Sequence, residues 1–149
     1  SAAYSFPAHA VEVEIDKKTG RVNIIKLVAA HDVGRALNLN AVEGQLDGSI
    51  AQGIGFALYE EQMYQNGRVL TSHLRDHRPL TFTDMPAIET IIIETCDPEG
   101  PFGAKGVGEP GTVPVAAAIA GAVYDAVGVR VKELPVKPEW LLASIKEQG

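Results

Sequence analysis

The chain has 149 residues, of which 46% are hydrophobic and 21% charged, and its formal net charge is −6 at pH 7. These values are typical of one globular domain and exclude a disordered, collagen-like or coiled-coil chain. The acidic balance argues against a protein that binds nucleic acid or an anionic membrane surface. We therefore expect a single domain over residues 1–149, with neither kind of partner.

The cysteine content and the lack of targeting signals predict the cellular compartment of the protein. The single cysteine, Cys96, can form neither an internal disulfide nor a cysteine-based zinc site, and it fits a reducing environment. Residues 1–10 lack the basic and apolar regions of a signal peptide, and the longest apolar run, Val113–Val123, is too short to span a bilayer. We therefore expect a cytoplasmic protein. Because the chain opens with Ser1, we also expect a processed, split or truncated chain.

The first half of the chain opens with the pattern of a β-hairpin. Apolar and acidic residues alternate strictly from Ala10 to Asp16, which predicts a half-buried strand. A short polar turn, Lys17–Gly20, separates this strand from a second apolar stretch, Arg21–Ala30. Two such strands joined by a turn that ends in glycine predict an antiparallel hairpin.

A proline-free stretch then predicts a long helix from Asn38 to about Met63. Each glycine in a helix costs about 1 kcal/mol relative to alanine, so a glycine-rich face indicates that something packs closely there. The occupant is either another helix or strand, or a ligand bound by glutamine amides. The apolar stripe comprises Val42, Leu46, Ile50, Ile54 and Leu58. The opposite face comprises Gly44, Gly48, Ala51 and Gly55, flanked by Gln45, Gln52 and Tyr59.

The second half of the chain predicts a strand, a long loop and two helices. The β-branched stretch Ile88–Thr95 predicts a strand, and Asp97–Gly111 a loop. An Ala-rich helix over Thr112–Val127 and a short terminal helix over Glu139–Glu147 follow. This order predicts an α+β fold in which a β-hairpin and further strands pack with a long Gly-faced helix, the Ala-rich helix and a short C-terminal helix.

The glycine-rich loop before the Ala-rich helix is the most informative segment. Its Gly106-x-Gly108-x-x-Gly111 spacing matches the dinucleotide fingerprint, but Glu109 would put a carboxylate where the pyrophosphate must lie. Pro110 also removes an amide, and the lack of a Gly-Lys-Ser/Thr sequence excludes a P-loop. Two interpretations of Glu109 remain. It either caps the following helix or acts as a general base held on a rigid turn.

Three other candidates have simpler interpretations. His73 and His77 have the spacing of a helical metal site, but their segment has the composition of a loop, so we predict no metal ligands. His31 and Asp32 are adjacent on an extended chain and should point apart, which disfavours an acid–base pair. Cys96 is expected to be a small buried apolar residue.

Four motifs together resemble the xanthine oxidase family of molybdenum hydroxylases. The likeness covers nearly the whole chain and keeps the order and spacing of the motifs. They are H-D-V-G-R-A-L-N (His31–Asn38), E-G-Q-L-D-G-S-I-A-Q-G-I-G (Glu43–Gly55), D-M-P (Asp84–Pro86) and G-A-K-G-V-G-E-P (Gly103–Pro110).

The resemblance implies roles for particular residues. Glu109 matches the general base beside molybdenum, and Gln45 matches a glutamine that hydrogen-bonds molybdopterin, with Gln52 nearby. The helix and the loop would then be two walls of one pocket, with no protein ligand to the metal. The loop residues whose backbone would lie against the cofactor are Lys105, Gly106, Val107 and Gly108.

The resemblance also implies a larger assembly. Catalytic subunits of this family are several times longer, so we expect the C-terminal part of a molybdopterin-binding subunit, inactive alone. Its partners would be the upstream part of that subunit and Fe–S and flavin (FAD) modules, in a homo- or hetero-oligomer. The cofactor would be molybdopterin, in the mononucleotide or cytosine dinucleotide form, and the substrate an aldehyde, purine or N-heterocycle. The alternative is a non-catalytic interaction domain derived from this family.

Overall fold

A three-stranded mixed sheet with helices packed on one face forms the centre of the protein, and the computed structural model describes residues 3–73 and 75–148. The sheet comprises β1 (Pro7–Asp16), β2 (Arg21–Asp32) and β5 (Ala87–Ile93). Strands β3 (Tyr64–Gln65) and β4 (Arg68–Val69) form a separate ribbon. The helices are α1 (Leu39–Leu58), α2 (Val115–Val127) and α3 (Pro138–Glu147). The predicted α+β class is confirmed.

The predicted hairpin is present and is longer than the alternating pattern indicated. β1 and β2 pair antiparallel, and a register shift between Glu12 and Val13 produces a bulge at which Ile25 is left 42% exposed. At the turn, the Asp16 carboxylate accepts hydrogen bonds from the amide of Lys18 and the hydroxyl of Thr19, both at 2.8 Å. This Asp-centred turn sets the hairpin register.

The third strand of the sheet is joined to the hairpin by a crossover that contains a helix. β5 pairs parallel with β2, with Lys26 opposite Ala87 and Asp32 opposite Ile93. Parallel neighbours need such a long connection, and α1 lies within it. The arrangement brings the carboxyl ends of β2 and β5 to the same edge of the domain.

Helix α1 begins where the sequence predicted and ends earlier. The Asn38 side chain accepts a hydrogen bond from the amide of Ala41 at 3.1 Å, as an N-cap does. At the other end, the amides of Tyr59 and Glu60 both donate to the carbonyl of Gly55, at 2.9 and 2.8 Å. The chain therefore leaves the helix before the predicted Met63.

The close approach of the two long helices occurs at a glycine outside the predicted glycine face. A β-carbon at Gly53 would lie 2.6 Å from Cβ of Val115 on α2. By contrast, a β-carbon at Gly44 or Gly48 would meet no atom within 4 Å, and at Gly55 it would collide with the Glu60 carboxylate. Helix packing thus explains Gly53, whereas Gly44 and Gly48 lie on open surface.

The hydrophobic core lies between the sheet and helices α1 and α2. Helix α2 begins at Val115, later than the predicted Thr112. Along it, Val115, Ile119 and Val123 recur at every fourth residue and are completely buried, and Val127 is partly buried. No helix among the described residues is both long and apolar enough to cross a membrane. The most deeply buried core residues are Leu27, Ala29, Leu46, Ile50, Ala57, Val115, Ile119, Val123 and Leu141.

Two histidines form a pair at the core side of the hairpin. Nε2 of His9 and Nε2 of His31 are 2.7 Å apart, and His31 is fully buried. The Nδ1 atoms of both rings are also buried and have no hydrogen-bond partner among the described residues. Burial and the neighbouring His31 lower the pKa of His9 to about 4, and burial lowers the pKa of His31. Both rings are therefore neutral at pH 7.

We expect this histidine pair to make folding sensitive to acid. The unfolded chain protonates His9 near its ordinary pKa of 6.5, and the folded chain does so only near 4. The unfolded state therefore binds more protons in this window, and the free energy of unfolding falls as the pH drops from about 6.5 to 4. Denaturant unfolding across this pH range should show that the free energy of unfolding falls less steeply in His9→Gln than in the parent protein. The exposed His73→Gln variant is the control, and an unchanged slope in His9→Gln would contradict the assignment.

We expect opposite effects of alanine at two glycines of the same helix. Gly53→Ala should lower the free energy of unfolding by about 1 kcal/mol or more, because its methyl group overlaps Val115. Gly48→Ala should raise it by up to about 1 kcal/mol, because its methyl group meets no atom and alanine favours the helix. Denaturant titration of both variants checks this. Equal changes in the free energy of unfolding for the two substitutions would contradict this prediction.

Candidate functional site

The glycine-rich loop returns to the sheet at the carboxyl end of β2. The amide of Lys105 donates to the carbonyl of Val33 at 2.9 Å, and the amide of Cys96 donates to the carbonyl of Gly34 at 3.1 Å. Gly34 has a φ of +69°, and a β-carbon there would collide with the carbonyl oxygen of Gly103. Glycine is required for this conformation and close approach. Loop and sheet therefore meet through their backbones.

A buried ion pair also joins this loop to β2. The Lys105 ammonium lies 2.7 Å from Oδ2 of Asp32, and the two side chains are only 6% and 9% exposed. The Thr95 hydroxyl lies 2.8 and 2.9 Å from the two carboxylate oxygens of Asp32. The amide of Gly34 donates to Oδ1 at 3.0 Å. A cation, a hydroxyl and a backbone amide thus hold the carboxylate, as a buried charge requires.

The surroundings of the pair favour its charged form. Burial by itself would raise the pKa of Asp32, but hydrogen bonds from the ammonium, the backbone amide and the hydroxyl outweigh it, and the pKa lies below its ordinary value. The Lys105 ammonium also donates to the carbonyl of Tyr4 at 2.9 Å and lies 5.2 Å from the centre of the Phe6 ring. A second carboxylate, that of Asp97, is 3.9 Å away.

Helix α1 meets the loop on the side away from this ion pair. Nε2 of Gln45 donates to the carbonyl of Gly108 at 2.7 Å, and the Ser49 hydroxyl lies 3.4 Å from the same oxygen. The Thr112 hydroxyl donates to the carbonyl of Ser49 at 3.2 Å, and the Thr112 amide donates to the carbonyl of Glu109 at 3.0 Å. The backbone around Glu109 is therefore attached to α1.

The carboxylate of Glu109 is exposed and stands at the edge of this contact. Helix α2 begins only at Val115, with Pro114 at its N-cap position. The interpretation of Glu109 as a helix cap is therefore wrong. The side chain of Glu109 forms no ion pair with any described residue, so it is free to act on something outside the chain.

The exposed residues around Glu109 form an open surface. A β-carbon at Gly44, Gly48, Gly106 or Gly108 would meet no atom within 4 Å. Gln45 and Gln52 are exposed on the same helix. The two elements touch, so the expected gap between two walls of a pocket is not present in the described part of the chain. The predicted site residues on or beside this surface are Gln45, Gln52, Lys105, Gly106, Val107, Gly108 and Glu109; the Lys105 side chain instead turns inward.

A large cavity lies at the other end of the sheet. It has a volume of about 1160 Å³, and its lining includes Arg21, Leu58, Arg78, Asp84 and Pro138. Arg21 and Asp32 are the two ends of β2, about 36 Å apart at ~3.3 Å per residue. This cavity is therefore remote from Glu109.

The remaining candidates are paired with other residues or exposed. His31 bonds to His9 whereas Asp32 bonds to Lys105, so the adjacent pair does point apart. His77 lies 3.3 Å from Glu60 in an exposed loop, and no group of three metal-ligating side chains occurs among the described residues. Cys96 is exposed, with a φ of +52°, so the expectation of a buried residue was wrong.

Sequence reasoning missed three residues of the site, namely Asp32, Thr95 and Ser49. Asp32 was considered only with its neighbour His31, and its partners Lys105 and Thr95 are 73 and 63 positions away in the chain. Ser49 lies between the two singled-out glutamines, but hydroxyls are common in helices. The available signal was the occurrence of charged residues within two positions of a glycine, in Asp32-Val33-Gly34 and Lys105-Gly106.

The fold and this surface define an α+β domain with an exposed surface of glycines and glutamines. A profile of the family described as "Molybdopterin cofactor-binding domain" matches residues 1–86. The chain belongs to this family.

Known relatives and solved structures support this family assignment. The chain is 37% identical over 144 residues to 6-hydroxypseudooxynicotine dehydrogenase complex subunit gamma of Paenarthrobacter nicotinovorans, covering 94% of this chain and 18% of the relative. Quinoline 2-oxidoreductase from Pseudomonas putida 86 superposes with a TM-score of 0.87 at 37% identity. The match covers 93% of this chain and 18% of that structure's chain. Aldehyde oxidoreductase from Desulfovibrio desulfuricans ATCC 27774 superposes with a TM-score of 0.88 at 35% identity. The match covers 96% of this chain and 16% of that structure's chain. The chain thus spans 16–18% of the length of these proteins.

We expect the Gln45 side chain to restrain the loop around Glu109. Gln45→Leu removes the donor to the carbonyl of Gly108, and the amide hydrogen of Thr112, which bonds to the Glu109 carbonyl, should exchange about fivefold faster. This factor corresponds to a net ~1 kcal/mol for one hydrogen bond. Hydrogen exchange followed by NMR measures it. Gln52→Leu is the matched control, and equal exchange in the two variants would contradict the restraint.

Proposed function

We propose that this chain supplies the general base and part of the molybdopterin-binding surface of a molybdenum hydroxylase. The observation that carries the proposal is the exposed Glu109 carboxylate, held on an anchored loop beside a surface of glycines and glutamines. The family of the chain supports the cofactor, and the relatives named above include a dehydrogenase subunit and two oxidoreductases.

The residues of this surface fit a pterin. Gly44 and Gly48 on α1, and Gly106 and Gly108 on the loop, expose backbone at which even a methyl group meets no protein atom. Gln45 uses Nε2 to bind the carbonyl of Gly108, which leaves its Oε1 free to accept a hydrogen bond from a pterin N–H group. The exposed Gln52 amide adds both a donor and an acceptor. A flat heterocycle with several polar edges suits this combination.

Glu109 would act as the base that takes a proton from the attacking oxygen. A carboxylate is a suitable group, because its oxygens can accept a proton. Its position next to the contact between Gly108 and Gln45 would bring it close to a cofactor lying on the glycines. Bound molybdopterin would supply the metal that accepts the two electrons of the oxidation.

The wider activity requires partners. The chain spans about a fifth of its relatives, and an open surface needs a covering element before it can exclude water. We propose that the other face of the site comes from the upstream part of a molybdopterin-binding subunit, with Fe–S and flavin modules as electron acceptors. The proposed substrate is an aldehyde, a purine or another N-heterocycle.

Glu109→Gln tests the proposed base directly. In the assembled molybdenum enzyme, we expect kcat to fall by at least about 100-fold, because the amide cannot accept the proton, while molybdenum and pterin contents stay normal. Steady-state assays with a purine, an aromatic aldehyde and quinoline, together with elemental analysis, give both readouts.

Glu99→Gln is the matched control, since Glu99 is another exposed carboxylate of the same loop. Its kcat should equal that of the parent enzyme. Near-normal turnover in Glu109→Gln would refute the role of the base. A well-folded assembly that binds neither molybdenum nor pterin would instead favour a non-catalytic interaction domain.

A further inference from the structure

We infer that the buried Lys105–Asp32 ion pair is a positioning device for the loop that carries Glu109; this inference rests on the function proposed above. Neither side chain reaches the exposed surface around Glu109, because both are more than nine-tenths buried. The pair would therefore act on the reaction through the loop backbone and not by contact with substrate. Lys105 and Asp32 are positioning residues in this sense.

The loop needs such a device because its sequence is intrinsically flexible. Between Lys105 and Glu109 lie two glycines, Gly106 and Gly108, which have the largest backbone freedom of any residue. A β-carbon at either position would meet no atom within 4 Å. A base works only if its carboxylate is held within hydrogen-bond reach of the proton that it takes. The required restraint must come from the residues on either side.

The structure provides one restraint on each side of Glu109. On the downstream side, the Thr112 amide donates to the carbonyl of Glu109, and Gln45 donates to the carbonyl of Gly108, the residue immediately before Glu109. On the upstream side, the Lys105 amide bonds to the carbonyl of Val33 and its ammonium bonds to Asp32. Lys105→Met would remove the side-chain part of the upstream restraint and leave only the backbone hydrogen bond of residue 105 to Val33.

The surroundings of Asp32 explain why an ion pair serves this purpose. Oδ1 receives the Gly34 amide, Oδ2 receives the Lys105 ammonium, and the Thr95 hydroxyl lies within 2.9 Å of both oxygens. The ammonium in turn reaches the carbonyl of Tyr4. Each donor has a defined direction, so the cluster fixes one position of the lysine stem. An apolar side chain of similar size would fill the space without fixing that position.

Another ion pair of the same sheet provides the comparison. Lys26 and Glu89 join β2 to β5 at 2.6 Å, but their side chains are 45% and 54% exposed. This pair has no contact with the loop. Lys26→Met therefore removes another lysine–carboxylate pair of β2 without touching the proposed restraint, and it should leave turnover unchanged.

The experiment is a double-mutant cycle in the assembled molybdenum enzyme. Lys105→Met should lower kcat by about tenfold or more, because a displacement of about 1 Å at a catalytic group can cost 100-fold. KM and melting temperature are recorded for every variant. If Lys105 acts through Glu109, the same substitution in the Glu109→Gln background should lower kcat less than about twofold. An equal loss of kcat in both backgrounds would overturn the inference.

Hydrogen exchange gives a readout that does not depend on activity. The amides of residues 105–109 should exchange faster in Lys105→Met and at the parental rate in Lys26→Met. Unchanged exchange at these amides would overturn the inference even if turnover falls. Should Glu109→Gln retain normal turnover, the proposed base fails, and the exchange data still decide whether the ion pair restrains the loop.

A milder variant covers the case in which Lys105→Met does not fold. Asp32→Asn keeps the size of the side chain and removes only its charge. Accelerated exchange at residues 105–109 in Asp32→Asn, together with a reduced kcat at an unchanged KM, supports the restraint. A lowered melting temperature with parental loop exchange and parental kcat would show that the pair contributes to stability alone.

Discussion

The buried ion pair between Lys105 and Asp32 is the interaction on which the arrangement of the site depends. It joins the carboxyl end of β2 to a loop with a high glycine content, at a point where both side chains are almost completely withdrawn from solvent. A buried charge is stable only when it is paired and hydrogen-bonded, and here the backbone and Thr95 complete the pairing. The position of the loop thus follows from the electrostatic requirements of one carboxylate.

The topology of the sheet makes this pairing possible. Because β5 runs parallel to β2, both strands end at the same edge, and the segments that follow them meet there. Asp32 ends β2 and Thr95 follows β5, so the carboxylate and the hydroxyl are neighbours through strand direction alone. Helix α1, which forms the crossover, then contacts the loop from the other side through Gln45. The site is therefore assembled from three chain segments at one end of the domain.

Glycines have two separate functions in this domain. Gly53 permits α1 and α2 to approach, because a side chain there would overlap Val115. Gly44, Gly48, Gly106 and Gly108 leave open backbone, and no packing within the described chain requires them. A domain of the molybdopterin cofactor-binding family that exposes backbone in this way is suited to a flat ligand. In the function proposed above, further protein would have to enclose this open surface.

The sequence by itself determined the local elements and the family, because alternation, helical periodicity and caps are short-range signals, and the four motifs are contiguous. The hairpin, the buried stripe of α1 and the residues of the exposed surface all follow from such signals. Only the tertiary structure decided the parallel pairing of β5, the inward direction of Lys105, and the exposure of Cys96. The ion pair joins residues 73 positions apart, and no local pattern encodes which charges will be buried together. Burial and long-range pairing depend on how the whole chain packs, and these are the properties that turn a recognised motif into a positioned group.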